Sequence, residues 1–515
     1  MKRTDDVRST VLNTSNIPVT IFANKDVPME DEGIEQLLDI ISLQDTLNNL
    51  GDWQEKGLIS PFWESKSEQG KINSIVVTPD FHKGGGIPVG VVINAEGFII
   101  PSAVGNDVAC GMRLLTTDVS REELSPKVVE SLGHKLRSIF FKGQRDIPMS
   151  PRQRESLLRN GLLGLNEDIG DNAGTGLWQY YSKSVQFDDL QRTHFGGGLS
   201  AKDIFGFADY IKSSGNSDGR DPQIGSVGGG NHFVELQTVD EVCDGRTAYE
   251  WGLKKDSVTI MAHSGSLGLG HMVGGHFCGK AHSLYPNNMP HPKHGFYVLP
   301  STGPNAKLAV EYLDAMRNAA NFAFANRLCL GLMAIRALSE TLGRDIETKL
   351  VYDAPHNLVW EPENHTFGNN CYLHRKGACP AIGATLNGVY GYTGAPVIIP
   401  GSIGASSYVL AGEGSDEALQ SACHGAGRSL TRGQAGHVSS DVYDRDVRLL
   451  KVISAIDPES PQVRGRQDIL SKYRQRLMEE APGAYKGIGP VVETVENANI
   501  ARRVARLWPL MTVKG

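Results

Sequence analysis

No two cysteines in this chain are spaced Cys-x-x-Cys. There are seven of them, an odd number, spread over 515 residues. Neither a disulfide framework nor a zinc ribbon is indicated, and a reducing compartment is the better setting. The sequence has no run of 18 apolar residues and no secretory leader pattern, which predicts a soluble cytoplasmic protein with no membrane partner. Internal repeats, heptad arrays and extended low-complexity tracts are also missing. Basic residues are not in excess. Lys and Arg number 51 against 58 Asp and Glu, a formal charge of −7, which disfavours a general nucleic-acid coat but leaves room for a local basic groove. The Lys-x-Asp-Gly signature of lysine-dependent nucleotidyl transferases is not found, so any covalent nucleotide points to a different nucleophile, such as histidine.

The chain is long enough for a large core, and length alone allows several domains. Glycine is abundant, at 59 residues, which fits many turns and close backbone approaches. Ile75–Val77, Val89–Ile93, Phe98–Ile100 and Val397–Ile399 read as buried strands. Leu308–Leu342 reads as a helix broken once, Gln462–Glu480 as a charged helix, and Asp416–Arg432 as a helix or a loop leading into one. Ser213–Asp221 reads as a polar loop. Gly274–Lys280 fits the body of a P-loop, but Ala281 stands where magnesium needs a Ser or Thr hydroxyl, so a working P-loop is not expected.

One segment carries a nucleophile with the means to hold a phosphate. Ser421–Arg432 places His424 among Gly425, Ala426 and Gly427, followed by Arg428 and Arg432. An imidazole can attack phosphorus, glycines let backbone approach phosphate, and arginines clamp its oxygens. The plainer reading is a surface helix with its arginines at i,i+4. Other glycine- or asparagine-flanked histidines weigh against it: Asn231-His232 with Glu235, His263 and His271, and His356-Asn357. Asp107 and Cys110 lie in a tight Asn-Asp-Val-Ala-Cys-Gly loop. Three imidazoles, a carboxylate and a thiolate suit a borderline transition metal or a pair of metals, and by ligand softness zinc.

These motifs, in this order, resemble the RtcB-type RNA-splicing ligases. The likeness covers Asp80 and His82, Asp107 and Cys110, Asn231-His232, His263 to Ser266, His356-Asn357, His374 to Ala378, Pro400 to Ser402, His424 to Gly427, and the terminal Val513-Lys514-Gly515. It runs from about residue 75 to the end, while residues 1–70 and 135–220 match poorly. The resemblance implies a single α+β domain of mixed architecture over residues 1–515, built around a central dinuclear site.

The resemblance further implies GTP and two manganese ions as cofactors. Asp107, Cys110 and His232 would hold one ion, and Cys110, His263 and His356 the other. His424 would become guanylylated, with Asp80 orienting its ring. Asn231, His232, Phe233, Val234, Glu235, His356, Asn357, Pro400, Gly401, Ser402, Ile403, Ser407, Gly425, Ala426, Gly427 and Lys514 would hold the nucleotide, and Lys376, Arg428 and Arg432 would bind phosphates. RNA with 3′-phosphate and 5′-hydroxyl ends would be the substrate, and an archease-like activator a partner. One departure stands out. Leu267 follows His-Ser-Gly-Ser where the family usually has arginine, and leucine cannot bind a phosphate. A metal-dependent nucleotide hydrolase or a nucleotide-binding regulator on the same scaffold is the rival expectation.

Overall fold

The computed structural model describes residues 17–170, 173–212, 221, 223–435 and 450–515. Of the polar loop expected at 213–221, only Asp221 lies within the described residues.

Two large sheets organise the chain. One runs in the order Val19–Ile21, Lys71–His82, Val89–Glu96, Cys371–Lys376, Asn357–Trp360. The other runs Pro396–Ile399, Ser407–Gly412, Ala501–Val513, Phe233–Val242, Ser257–Ser264, Gly111–Ser120, Thr348–Pro355, with Lys451–Ile453 added in parallel on Ala501–Val513. Alternation along the strands separates two apolar layers. Val258, Ile260 and Ala262 belong to the core under the helices, while Met261 between them joins Met112, Leu114, Trp251 and Val409 on the opposite face. The expected α+β character is therefore observed, and each predicted stretch falls on a strand: Phe98–Ile100 and Val397–Ile399 match Phe98–Ile99 and Pro396–Ile399 to within a residue, while Ile75–Val77 and Val89–Ile93 are parts of the longer strands Lys71–His82 and Val89–Glu96.

The helix Ala306–Leu342 lies against Ser257–Ser264 and Gly111–Ser120 and against the helices Pro126–Phe141, Pro151–Ile169 and Leu267–Ser283. Its 37 residues are unbroken, contrary to the expected interruption. Its asparagines Asn318, Asn321 and Asn326 are buried and bonded to neighbouring segments. Asn318 and Asn321 both donate to the Leu158 carbonyl, at 3.0 and 2.9 Å. By length and composition this helix could cross a membrane, but 94% of its most apolar window is buried inside the fold, as befits a core helix.

As expected, Gly274–Lys280 forms no phosphate loop; it lies inside the helix Leu267–Ser283. The charged helix spans Gln467–Met478. Of the two readings of Asp416–Arg432, the continuous helix is not found: a 3-10 turn Asp416–Ala418 leads to the strand Ser421–Cys423, paired with Ala378–Pro380, and His424 to Thr431 follow as a loop that leads into the short helix Arg432–Ala435.

Candidate active site and metal centre

The strand register gathers the metal-ligating residue types at one sheet end. Gly111 pairs with both Ser264 and Pro355, and Phe233 pairs with His263. Cys110, His232 and His356 therefore fall just beyond adjacent strand ends, beside His263. His356 occupies the single step between Thr348–Pro355 of one sheet and Asn357–Trp360 of the other. Ala109 takes a left-handed φ of 53°, which turns the chain sharply from Asp107 into Cys110. Gly265 is required there, because a Cβ would stand 2.2 Å from Asp107 Oδ1.

Cys110 Sγ lies 3.2 Å from His232 Nε2 and 3.1 Å from His263 Nε2, and Asp107 Oδ2 lies 2.8 Å from that His232 nitrogen. The ligand atoms form two groups sharing Cys110, one with Asp107 and His232, the other with His263 and His356. Within each, all atoms lie within 4.8 Å of one another. His232 Nδ1 donates to the Val227 carbonyl at 3.1 Å and His263 Nδ1 to the Asn231 carbonyl at 3.1 Å. Carbonyls only accept, so Nδ1 carries a proton in both rings and each Nε2 is turned towards Cys110; for neutral His263 that nitrogen presents its lone pair.

Burial drives the His263 and His356 imidazoles well below the usual histidine range, keeping them neutral. Burial and then the Asp107 carboxylate push the Cys110 thiol well up. Burial would raise Asp107 too, but His232 outweighs it and holds the carboxyl low. His356 Nδ1 is buried without a hydrogen-bond partner among the described residues. Neutral imidazoles, a carboxylate, an orphaned nitrogen and a thiol that only a nearby cation would ionise are a donor set that fits metal.

The helix Ala306–Leu342 braces this cluster. Arg327, buried and paired with Asp353 at 2.8 Å, donates to the carbonyls of Ala109 at 2.7 Å and Ser264 at 3.1 Å. Those carbonyls adjoin Cys110 and His263. Asn326 reaches Ser226 O, Ser264 Oγ and Gly265 O, tying down the loop that leads to His232.

His424 follows the strand Ser421–Cys423. Its Nδ1 lies 2.6 Å from Asp80 Oδ2 and 2.9 Å from the Gly377 carbonyl, and its backbone N–H donates to the same carboxylate at 3.2 Å. Both Nδ1 neighbours are acceptors, so Nδ1 carries a proton and Nε2 is the ring nitrogen left for attack in the neutral tautomer. Burial works to raise the Asp80 carboxyl, but His424 and the Thr78 hydroxyl overcome it and hold it below its ordinary value. The His424 ring stands 4.4 Å from that of His356, centroid to centroid. Gly427 has φ 76° and approaches so closely that a Cβ would lie 2.2 Å from the Asp80 carbonyl.

A cavity of about 500 Å³ joins the two clusters. Asp107, Cys110, Asn231, Phe233, His263, His356, Asn357, Lys376, Pro400 to Ile403, His424 to Arg428 and Lys514 line it. Burial lowers Lys376 to about 8, and its Nζ donates to Gly85 O at 3.3 Å. Lys514 Nζ donates to the carbonyls of Gly230 and His232. Asn357 accepts the Gly377 N–H at 2.8 Å and donates to Asp107 O at 3.3 Å, linking the nucleophile side to the thiol loop.

Several expected site residues stand behind the wall. Val234 is core, and Glu235 accepts from Thr512 and from Gln237. Ser407 accepts from Gln237 at 2.9 Å and from Gly401 N at 3.1 Å, so it shapes the Pro400–Ser402 turn without lining the cavity. Arg428 lines the cavity, but its guanidinium is engaged by Glu480, Tyr485 and the Glu479 carbonyl. Arg432 begins the short helix Arg432–Ala435; its side chain is outside the description. Arg375 is not in a basic groove: it is buried, stacked 4.2 Å over Trp360, and bonded to Ser421 and Leu419 O. His374 accepts from Ile100 N and is structural, and His271 is exposed on the helix Leu267–Ser283. Leu267 opens that helix with φ 51°, packs against the core and does not line the cavity.

The sequence reading missed Tyr485, Glu480, Lys83 and Glu30, all of which line the cavity. An aromatic within the Pro- and Gly-bearing stretch Ala481–Gly487 was the one available signal.

Compared with known proteins, residues 66–515 match the family described as tRNA-splicing ligase RtcB. A tRNA-splicing ligase RtcB of Thermococcus kodakarensis is 35% identical over 456 residues, covering 85% of this chain and 87% of the relative. An RNA-splicing ligase RtcB of Mycobacterium bovis is 32% identical over 459 residues, 87% of this chain and 98% of the relative. An RNA-splicing ligase RtcB homolog 1 of Entamoeba dispar is 33% identical over 466 residues, 85% of this chain and 78% of the relative.

Proposed function

The chain belongs to the RtcB family of RNA-splicing ligases, and from that premise we propose that it seals RNA 3′-phosphate or 2′,3′-cyclic phosphate ends to 5′-hydroxyl ends, with GTP and two manganese ions, through a histidine–GMP intermediate. The observation that carries this reading is the His424–Asp80 pair. It anchors the His424 ring through Nδ1 and leaves Nε2 free of that pairing, beside a cavity that also reaches Cys110 and His356.

His424 Nε2 attacks the α-phosphorus of GTP. An N–P bond forms, the bond to the bridging oxygen breaks, and pyrophosphate leaves with the electron pair. Asp80 holds the Nδ1 proton and stabilises the charge that develops on the ring. An oxygen of the RNA 3′-phosphate then displaces His424 from that phosphorus. Finally the 5′-hydroxyl oxygen attacks the RNA phosphorus, GMP departs, and the hydroxyl proton passes to solvent. Cyclic ends are first opened by water. Asp107, Cys110, His232, His263 and His356 would hold manganese, which when bound would supply positive charge to neutralise and orient phosphate oxygens. Lys376 is the lining cation best placed for phosphate, since Arg428 is neutralised by Glu480.

A joining assay tests the reading: purified protein, GTP, manganese and two RNA strands, one 3′-phosphorylated and one with a 5′-hydroxyl. A sealed product bearing the label of the original 3′-phosphate at the junction supports it. GTP hydrolysis without any joined RNA would favour the hydrolase alternative.

A further inference from the structure

The strand that carries Asp80 leaves its ladder where Asp80 is needed. In Lys71–His82, Val77 pairs with Val91 and His82 with Val89, with a register shift between them. Asp80 lies in that irregular stretch, and the carbonyls of Pro79 and Phe81 on either side of it face a different group. Lys486 donates through Nζ to Phe81 O at 2.5 Å and Pro79 O at 3.2 Å. Its own backbone N–H donates to Gly427 O at 2.9 Å. Gly427 is three residues past His424, and Gly427 itself packs on the Asp80 backbone. Lys486 is 5% exposed. Burying an ammonium is costly, and burial pulls it down to about 8 against the opposing pull of Asp80. Lys486 does not line the cavity, and a purely apolar side chain there would leave two buried carbonyls unbonded.

We propose that Lys486 is a positioning residue for the guanylylation step: by bonding the carbonyls on both sides of Asp80 and the backbone of the His424 loop, it sets the Asp80–His424 geometry. This rests on the proposed function, because its effect is read through transfer of GMP to His424. It acts through the dyad and touches neither nucleotide nor RNA.

The test is a double-mutant cycle on the rate of covalent labelling by α-labelled GTP, with Lys486→Met, Asp80→Asn and the pair. Lys486→Met is expected to slow labelling roughly ten- to a hundredfold. Affinity for a non-cleavable α,β-methylene GTP analogue and the bound metal count should stay within about twofold of wild type. Combined with Asp80→Asn, it should add little further loss, because both act through one dyad. Lys486→Arg, which keeps the charge and donors, should recover most of the rate, and serves alone if the methionine protein does not fold. Fully multiplicative losses, or unchanged labelling in Lys486→Met, would overturn the proposal. So would a Lys486→Arg protein no faster than Lys486→Met or, where that fails to fold, one labelling tenfold or more below wild type. Wild type that does not label at all would instead remove the ligase reading, and this inference with it.

Discussion

Asp80 Oδ2 accepts both the ring and the backbone N–H of His424, at 2.6 and 3.2 Å. One buried carboxylate thus fixes the tautomer and the position of the nucleophile. Asp80→Asn keeps the shape but can present an N–H to Nδ1, which favours the wrong tautomer. Labelling by GTP is expected to fall by about a thousandfold, with analogue affinity little changed; initial rates of label incorporation and a binding titration check both.

Cys110 is shared by the two ligand groups, so its loss should affect both together. Cys110→Ala is expected to lower bound manganese and labelling in parallel, whereas Cys110→Ser should keep some of each, since oxygen suits manganese. Elemental analysis of the purified variants gives the metal count. Two ions and full labelling in Cys110→Ala would refute the shared role.

Arg327 pairs with Asp353 in the core while bonding the carbonyls beside Cys110 and His263. Arg327→Met leaves Asp353 with a weakened partner set and should cost about 3–5 kcal/mol of stability. A lower denaturation midpoint, with a loss of metal affinity preceding unfolding, is the expected result.

Glu235 is an acid raised by burial from 4.5 to about 7. The native state therefore holds a proton that the unfolded chain has released between those values. Stability from this group falls as pH rises through that window, and the full penalty, at most about 3 kcal/mol, applies above it. Glu235→Gln should raise the melting temperature at pH 8 and bring no comparable gain near pH 4.5, as thermal unfolding at the two pH values will report.

The family resemblance implies arginine where Leu267 stands, and the basic residue Arg375 is committed elsewhere, buried on Trp360. Wild type is expected to label with GTP yet join 3′-phosphate RNA poorly. Leu267→Arg should raise sealing about tenfold or more without changing the labelling rate. Vigorous sealing by wild type, unimproved by the arginine, would show that the position is not needed.

Local chemistry made the cluster legible before the fold. Asp107, Cys110, His232 and His356 lie just beyond strand ends beside glycine or asparagine, His263 is the second-last residue of the strand Ser257–Ser264 just before Gly265, and strand register does the rest. The segment around His424 misled because the Arg428 and Arg432 spacing imitates a helix, while pairing of Ser421–Cys423 with Ala378–Pro380 imposes an extended chain. The partners of Asn318, Asn321 and Asn326, at Leu158 and Ser226, are far away in sequence, so nothing local marked these asparagines as core residues of one unbroken helix. Lys486 was invisible for the same reason, and Tyr485 was marked only by the Pro- and Gly-bearing stretch around it. Their roles exist only once the stretch after Gln467–Met478 folds back against Asp80 and Arg428.

The central claim is that His424 is the covalent nucleophile. The most direct measurement is incubation of wild type and His424→Ala with manganese and GTP labelled at the α- or the γ-phosphate, followed by denaturing electrophoresis. The account expects acid-labile label on wild type from α-labelled GTP only, none on His424→Ala, and the same metal content in both proteins. Full labelling of His424→Ala, or label retained from the γ-phosphate, would contradict it.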